Sequence, residues 1–221
     1  MKKISAALLA FALPLLSLAT EALPLERDLG QGLAYVRIHS LPADLPPAPA
    51  KPGALVLDLR YARGSADAVA ILGAWLKFRA SAHTPVFVLV NAGTAPAVLE
   101  FLEDTEPMPG LLTLGTASSK FVPDVTLRIS AATERSAYDA LEHGTPLETL
   151  LTDNPTKPRH DEAAIAQDHA ASSADSEDDE AGPDDSRTPA AVLPVAPPPL
   201  IDSALQRAVH LHRALLALKK I

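Results

Sequence analysis

Few residues in this chain could do chemistry. Asp58 and Arg60 close the apolar run Ala54–Leu59, and a carboxylate two positions from a guanidinium at a strand end suits either a binding site or a loop held by charge-assisted hydrogen bonds; we read them as loop-holding. Ser118 and Ser119 adjoin Lys120, but a hydroxyl next to an amine in sequence is common on any surface, and Lys120 reads as a solvated loop lysine. His210 and His212 are two apart on a helical pattern, so they point to different faces and make a poor metal pair. His160, Asp161 and Glu162 fall in a polar stretch that would give a metal no preorganised cage. No glycine loop for phosphate and no nucleophile elbow is present, and no cofactor is implied.

Composition narrows the classes further. The absence of cysteine excludes disulfides, thiolate zinc sites, a cysteine nucleophile and a lipid-bearing cysteine. The formal net charge is −8, much of it in the tract Asp175–Asp185, and no basic cluster stands out in the body of the chain. Nucleic acid is therefore excluded as a partner, since binding it needs clustered cations to displace counterions. Aromatic residues are only 4% of the total, so the core must rest on Leu, Val, Ile and Ala.

Any site needs elements to position it, and these read as alternating strands and helices. Leu33–Ile38 is a short run of strand formers, followed by a proline-rich extended link through Pro42, Pro46, Pro47, Pro49 and Pro52. Ala54–Leu59 and Pro85–Val90 are near-continuous apolar runs, as in strands covered on both faces. Between them Asp67–Ala80 carries Val69, Leu72, Leu76 and Phe78 or Arg79 near helical spacing, with Ser65 as N-cap. Strand, helix, strand at this interval is a βαβ unit, whose right-handed crossover makes the two strands parallel. A helix over Pro96–Glu103, strands at Leu111–Leu114 and Val125–Ile129, a helix over Thr133–Glu142 closed by Gly144, and a short helix from Thr145 to near Asp153 complete an α/β domain over residues 23–153.

Both ends of the chain differ from this body. Lys2 and Lys3 precede an apolar run from Ile4 to Ala19 that is broken by Pro14, the n-region and h-region of a signal peptide over residues 1–19. Cleavage is expected after Ala19, with Thr20 and Ala22 offering a second option; an uncleaved anchor is the competing reading. The run is too short for a comfortable membrane span, so the mature chain is expected to be exported, periplasmic or extracellular, with no stable span. Residues 154–199 form an acidic and Pro-rich linker, expected to be disordered because Ser172–Arg187 has almost nothing to bury. Residues 200–221 form an amphipathic helix with capping-box spacing at Ser203 and Gln206, and a face through Ile201, Leu205, Ala208, Leu211 or His212, Leu215 and Leu218. Such a helix docks on its own domain or on a partner.

Two segments carry a resemblance. Ala54–Ser65 reads ALVLDLRYARGS and Pro85–Glu100 reads PVFVLVNAGTAPAVLE. Together they resemble the core of the tail-specific (C-terminal processing) serine peptidases, which have the ClpP/crotonase-type fold. Asp58, Leu59 and Arg60 match the first motif, Gly64 matches one of its two turn glycines, and Ser65 stands where the other belongs. Asn91, Thr94 and Ala95 match the second motif, and Pro96 occupies the nucleophile position. Lys120 lies at about the interval of the family's general base, without the glycines that surround it. Gly32–Ser40 is similar to the strand before the family's core, so the likeness spans roughly Gly32 to Arg128, and no PDZ insertion is visible.

The resemblance implies a ClpP/crotonase-like core whose chemistry is missing a part. Hydrolysis by this route needs a hydroxyl, a deprotonated lysine and backbone N–H donors for the oxyanion, and proline has neither hydroxyl nor N–H. The expectation is a non-catalytic exported protein with a binding or assembly role in a bacterial envelope, using a cleft near Gly64 and Asn91 or the C-terminal helix for a peptide or protein partner. The alternative is an active serine/threonine–lysine peptidase in which Thr94, Ser118 or Ser119 works with Lys120. A homo-oligomer that swaps its C-terminal helix is a third reading.

Overall fold

A computed structural model of the chain describes residues 25–47, 53–151 and 199–221. The signal peptide and nearly all of the acidic linker expected from sequence lie outside the described residues. The fold is α/β, built on a six-stranded, mostly parallel sheet in the order β1 to β6. Its strands are β1 (Leu25–Asp28), β2 (Leu33–Arg37), β3 (Ala54–Asp58), β4 (Val86–Val90), β5 (Leu111–Gly115) and β6 (Val125–Thr126). Only β1 runs antiparallel to its neighbour, joined to β2 by a tight turn through Gly30, Gln31 and Gly32.

Consecutive parallel strands laid side by side in one direction put every right-handed crossover on the same face. That face holds α1 (Ala66–Arg79) and α2 (Pro96–Asp104), packed on Val36, Leu55, Leu57, Val86 and Val88. Leu41 from the β2–β3 connection and Phe121 from the β5–β6 connection join the same cluster. The opposite face receives nothing from the crossovers. It is covered by α3 (Ala131–Glu142), α4 (Leu147–Leu150) and α5 (Ser203–Ala217), whose Leu141, Leu150, Leu205 and Val209 pack on Tyr35, Val56, Phe87, Leu89 and Leu114. With both faces covered, every residue of β3 and β4 is buried, which is why these strands read as unbroken apolar runs.

Local chemistry sets the helix ends, in places differently from the sequence reading. Ser65 caps α1 by accepting from Ala68 N. On α1 it is Arg79 that turns inward, while Phe78 is 74% exposed. Ser130 caps α3, so that helix begins two residues earlier than expected. The short helix after Pro146 ends at Leu150, not near Asp153. The cap of α5 is Asp202 and not Ser203: its side chain accepts from Leu205 N at 3.0 Å. Its buried face runs through Ala204, Leu205, Ala208, Val209 and His212, and Leu218 is exposed. His212 Nε2 lies 3.1 Å from the Gln31 carbonyl oxygen, tying α5 to the β1–β2 turn. No helix among the described residues is long and apolar enough to cross a membrane.

Candidate functional site

Register decides which polar side chains meet. Arg37 of β2 lies opposite Asp58 of β3. Alternation puts Tyr35 and Arg37 on one face of β2 and Asp58 on the same face as Val56, the face beneath α3 and α5. All three stand at or near the C-terminal ends of parallel strands, where α/β sheets usually place their sites.

A buried network fills this position. Tyr35 Oη donates to Asp58 Oδ2 at 2.7 Å and accepts from Arg37 Nε at 2.9 Å. Arg60 grips Asp58 through Nε and Nη2 at 3.0 and 2.8 Å, and its own backbone N–H donates to Asp58 Oδ1. The same guanidinium grips Asp202 at the start of α5, through Nη1 at 3.0 Å and Nη2 at 2.8 Å. Arg37 reaches α3, donating to the Tyr138 carbonyl at 3.0 Å and to Glu142 at 2.7 Å, and its guanidinium carbon sits 3.7 Å from the centre of the Tyr138 ring.

The electrostatics lock the protonation states. Burial pushes the Asp58 carboxyl up, but Arg60 and Arg37 and the hydrogen bonds from Arg60 and Tyr35 outweigh it and hold it below the usual carboxylate range. Burial disfavours the Arg60 cation, yet Asp202 and Asp58 raise its pKa well above the ordinary value. Burial, with Asp58 adding to it, pushes the Tyr138 phenol up to about 12. Two guanidiniums set against Asp58 and Asp202, all fully or almost fully buried, make a fastener and not a proton-transfer site. Two buried atoms here have no hydrogen-bond partner, Arg37 Nη2 and Glu134 Oε1, and burial raises the Glu134 pKa against the attraction of Arg60.

The residues singled out by the peptidase resemblance sit just beyond this network. Thr94 is buried and its hydroxyl is doubly used, donating to the Leu59 carbonyl at 2.9 Å and accepting from Asn91 N at 3.1 Å. Asn91 folds its own turn, Oδ1 accepting from Gly93 N at 2.9 Å, and its side chain lies beside Tyr61 and Glu134. Pro96 opens α2, where a missing N–H is harmless. The backbone N–H groups of Ala62, Arg63, Thr94 and Ala95 all donate to carbonyls of neighbouring loops and turns, so none of these four is free for an oxyanion. Ser118 Oγ accepts from the backbone N–H groups of Lys120 and Phe121, and Ser119 is exposed. The Lys120 amine pairs with Glu100 at 3.4 Å on the surface, 61% exposed, and so stands apart from the partners of Thr94.

Of the two residues at the expected cleft, Asn91 is buried and Gly64 half-buried. A Cβ on Gly64 would lie 3.2 Å from Leu41, and one on Gly93 would lie 2.4 Å from the Tyr61 ring. Tyr61 takes a left-handed backbone conformation, φ 61°, and its ring meets Tyr138 edge-on at 4.8 Å with the Arg135 guanidinium 4.6 Å from its centre. The tyrosine thus lies across the turn after β4.

Asp58 and Arg60 were legible as a pair from sequence, but their side chains bind each other, Tyr35 and Asp202. Tyr35, Arg37, Glu134, Tyr138 and Asp202 were not legible, and the one available signal was the Asp immediately before the C-terminal helix. Among the described residues no cluster of His, Asp and Glu could hold a metal ion. The chain matches no family model and no curated protein, so the likeness to tail-specific peptidases rests on the two motifs alone.

Proposed function

We propose that this chain is an exported, non-catalytic relative of the tail-specific peptidases, with a ClpP/crotonase-type core and a binding or assembly role toward a peptide or protein in the bacterial envelope. The basic start and apolar run of residues 1–19 support export. The consecutive parallel strands, with all crossovers on one face, are compatible with the proposed core. One observation carries the loss of hydrolysis: the Thr94 hydroxyl is committed to the backbone while the Lys120 amine is paired with Glu100 at the surface. Nucleophilic catalysis needs those two groups within hydrogen-bond reach of each other, in a groove that admits substrate.

The test is incubation of the purified mature chain with an unfolded protein such as reduced casein, followed by mass spectrometry. No cleavage above a blank is expected, and Lys120→Ala should leave the trace unchanged. Cleavage that disappears in Lys120→Ala would establish instead the peptidase reading with a relocated hydroxyl.

A further inference from the structure

Helix α1 is apolar on both of its faces. Among its 14 residues only Asp67, Lys77 and Arg79 are charged. The inner face, through Val69, Leu72 and Leu76, packs on the sheet. The outer face carries Ala70, Ile71, Ala74 and Phe78, with Ile71 52% and Phe78 74% exposed. A surface helix of a single domain keeps polar residues on its solvent side, whereas a helix that is apolar all round has cover on all sides. Single apolar residues on a surface need no explanation, but Ile71 and Phe78 stand about two turns apart on one helix face with alanines between them.

The neighbouring elements meet α1 at its flanks and leave this strip open. On one flank the Phe101 ring of α2 lies so close to Gly73 that a Cβ there would come within 2.9 Å of it. On the other flank Trp75 Nε1 donates to the Pro46 carbonyl at 2.9 Å, which fixes the indole. The strip between them carries one charge of each sign, Asp67 in the first turn of the helix and Lys77 in the last, both exposed.

We propose that the outer face of α1 is a dimer interface, packed against α1 of a second copy of this chain in an antiparallel, two-fold arrangement. Such a pairing brings the Asp67 end of each helix to the Lys77 end of the other, so the charges complement each other twice, and it opposes the two helix dipoles. A parallel pairing would set like charges side by side. Ala70 and Ala74 let the two helices approach closely, so that Ile71 and Phe78 of each copy reach across the other. A helix that lies on a membrane surface is rich in Lys and Arg beside its apolar face, and this strip has a single lysine. The dimer stands whether or not the chain hydrolyses peptides.

Sedimentation equilibrium of the full mature chain should give twice the chain mass. Phe78→Glu should weaken the dimer at least about tenfold, because it places a carboxylate without a partner in the interface. Phe78 is exposed in the single chain, so this variant leaves the core untouched, as circular dichroism would check. Because the chain has no cysteine, Ala74→Cys supplies its sole thiol. A short bis-maleimide should join that thiol to the same residue of the second copy, while Ser136→Cys, exposed on α3, should stay monomeric. A dimer that Phe78→Glu leaves at wild-type affinity, or equal cross-linking of the two cysteine variants, overturns the proposal. So does a monomer at every concentration, which would leave the face to a different protein or to a lipid surface.

Discussion

Arg60 and Asp202 are 142 positions apart in the sequence, yet they meet through two nearly parallel hydrogen bonds of 3.0 and 2.8 Å in the interior. Asp202 also caps α5, so one carboxylate both starts the last helix and fixes where that helix attaches to the sheet. Buried ion pairs are weak sources of net stability, but breaking one is expensive, because the remaining charge is stranded. The Arg60–Asp202 contact therefore sets the register of α5 more than it adds to stability. We predict that Arg60→Ala costs about 3–5 kcal/mol in urea unfolding, leaving Asp58 and Asp202 unpaired. Asp202→Ala should cost less, since Arg60 keeps Asp58, and the double variant should be non-additive by about 0.5–3 kcal/mol. Arg60→Lys should fail to restore stability, having no fork to span two carboxylates. An Asp202→Ala effect within about 0.5 kcal/mol of zero would show that the clamp does not hold the helix.

Among the described residues α5 shares the cover of its sheet face with α3 and α4. Because all the crossovers lie on the α1–α2 side, the central part of Phe87, Leu89 and Val56 depends on Ala204, Leu205, Ala208 and Val209. Leu205→Ala is predicted to lose about 2–5 kcal/mol, as for a fully buried leucine that leaves a cavity. Deleting residues 200–221 should expose an apolar surface that binds a hydrophobic dye and self-associates, as light scattering would show. A monomeric, dye-silent truncation would mean that α5 is dispensable to the core.

The pH response should show two opposing groups. Asp58 and Glu142 have depressed values in the folded chain: burial pushes each up, but it is outweighed for Asp58 by Arg60 and Arg37 and for Glu142 by Arg37 and His39. Their contribution is complete above the unfolded carboxyl range of about 3.9–4.3 and is lost as pH falls through the lower folded values. Glu134 has the opposite sign. Burial raises its pKa, so its contribution is complete below about 4.3 and is lost as pH rises through the folded value. Glu134→Gln is therefore predicted to melt higher than wild type near neutral pH and to show no such gain in acid. A lower melting temperature at neutral pH would mean that attraction to Arg60 outweighs burial.

Tyr61 and Gly93 should behave as a coupled pair. A Cβ at residue 93 would meet the Tyr61 ring at 2.4 Å, well inside contact distance. Gly93→Ala is predicted to destabilise the fold by about 1–3 kcal/mol through overpacking, and most of that loss should vanish in a Tyr61→Ala background. Equal losses in both backgrounds would locate the demand for glycine in the backbone instead of the ring.

Sequence legibility followed how local each decision was. The runs of β3 and β4 and the intervening α1 could be read because fully buried strands and a capped helix leave their signal within a few residues. β1 could not, since Leu25 is the one apolar residue in Leu-Glu-Arg-Asp and the pairing with β2 is what defines it. Phe78 and Arg79 were indistinguishable by helical spacing, and the structure buries the charged one. Asp202 and Ser203 are equally good caps on intrinsic grounds. Arg60, brought there by the sheet, decides between them. The network as a whole depends on strand register and on a helix that arrives from the far end of the chain, and no local pattern records that.

The central claim is that the hydroxyls of Thr94, Ser118 and Ser119 are not activated, and it is tested most directly by treating the chain with a fluorophosphonate probe and mapping adducts by mass spectrometry. A serine or threonine activated by an amine reacts, while one committed to backbone partners does not. We predict no adduct at residues 94, 118 or 119. A stoichiometric adduct at any of them, lost in Lys120→Ala, would contradict the non-catalytic reading.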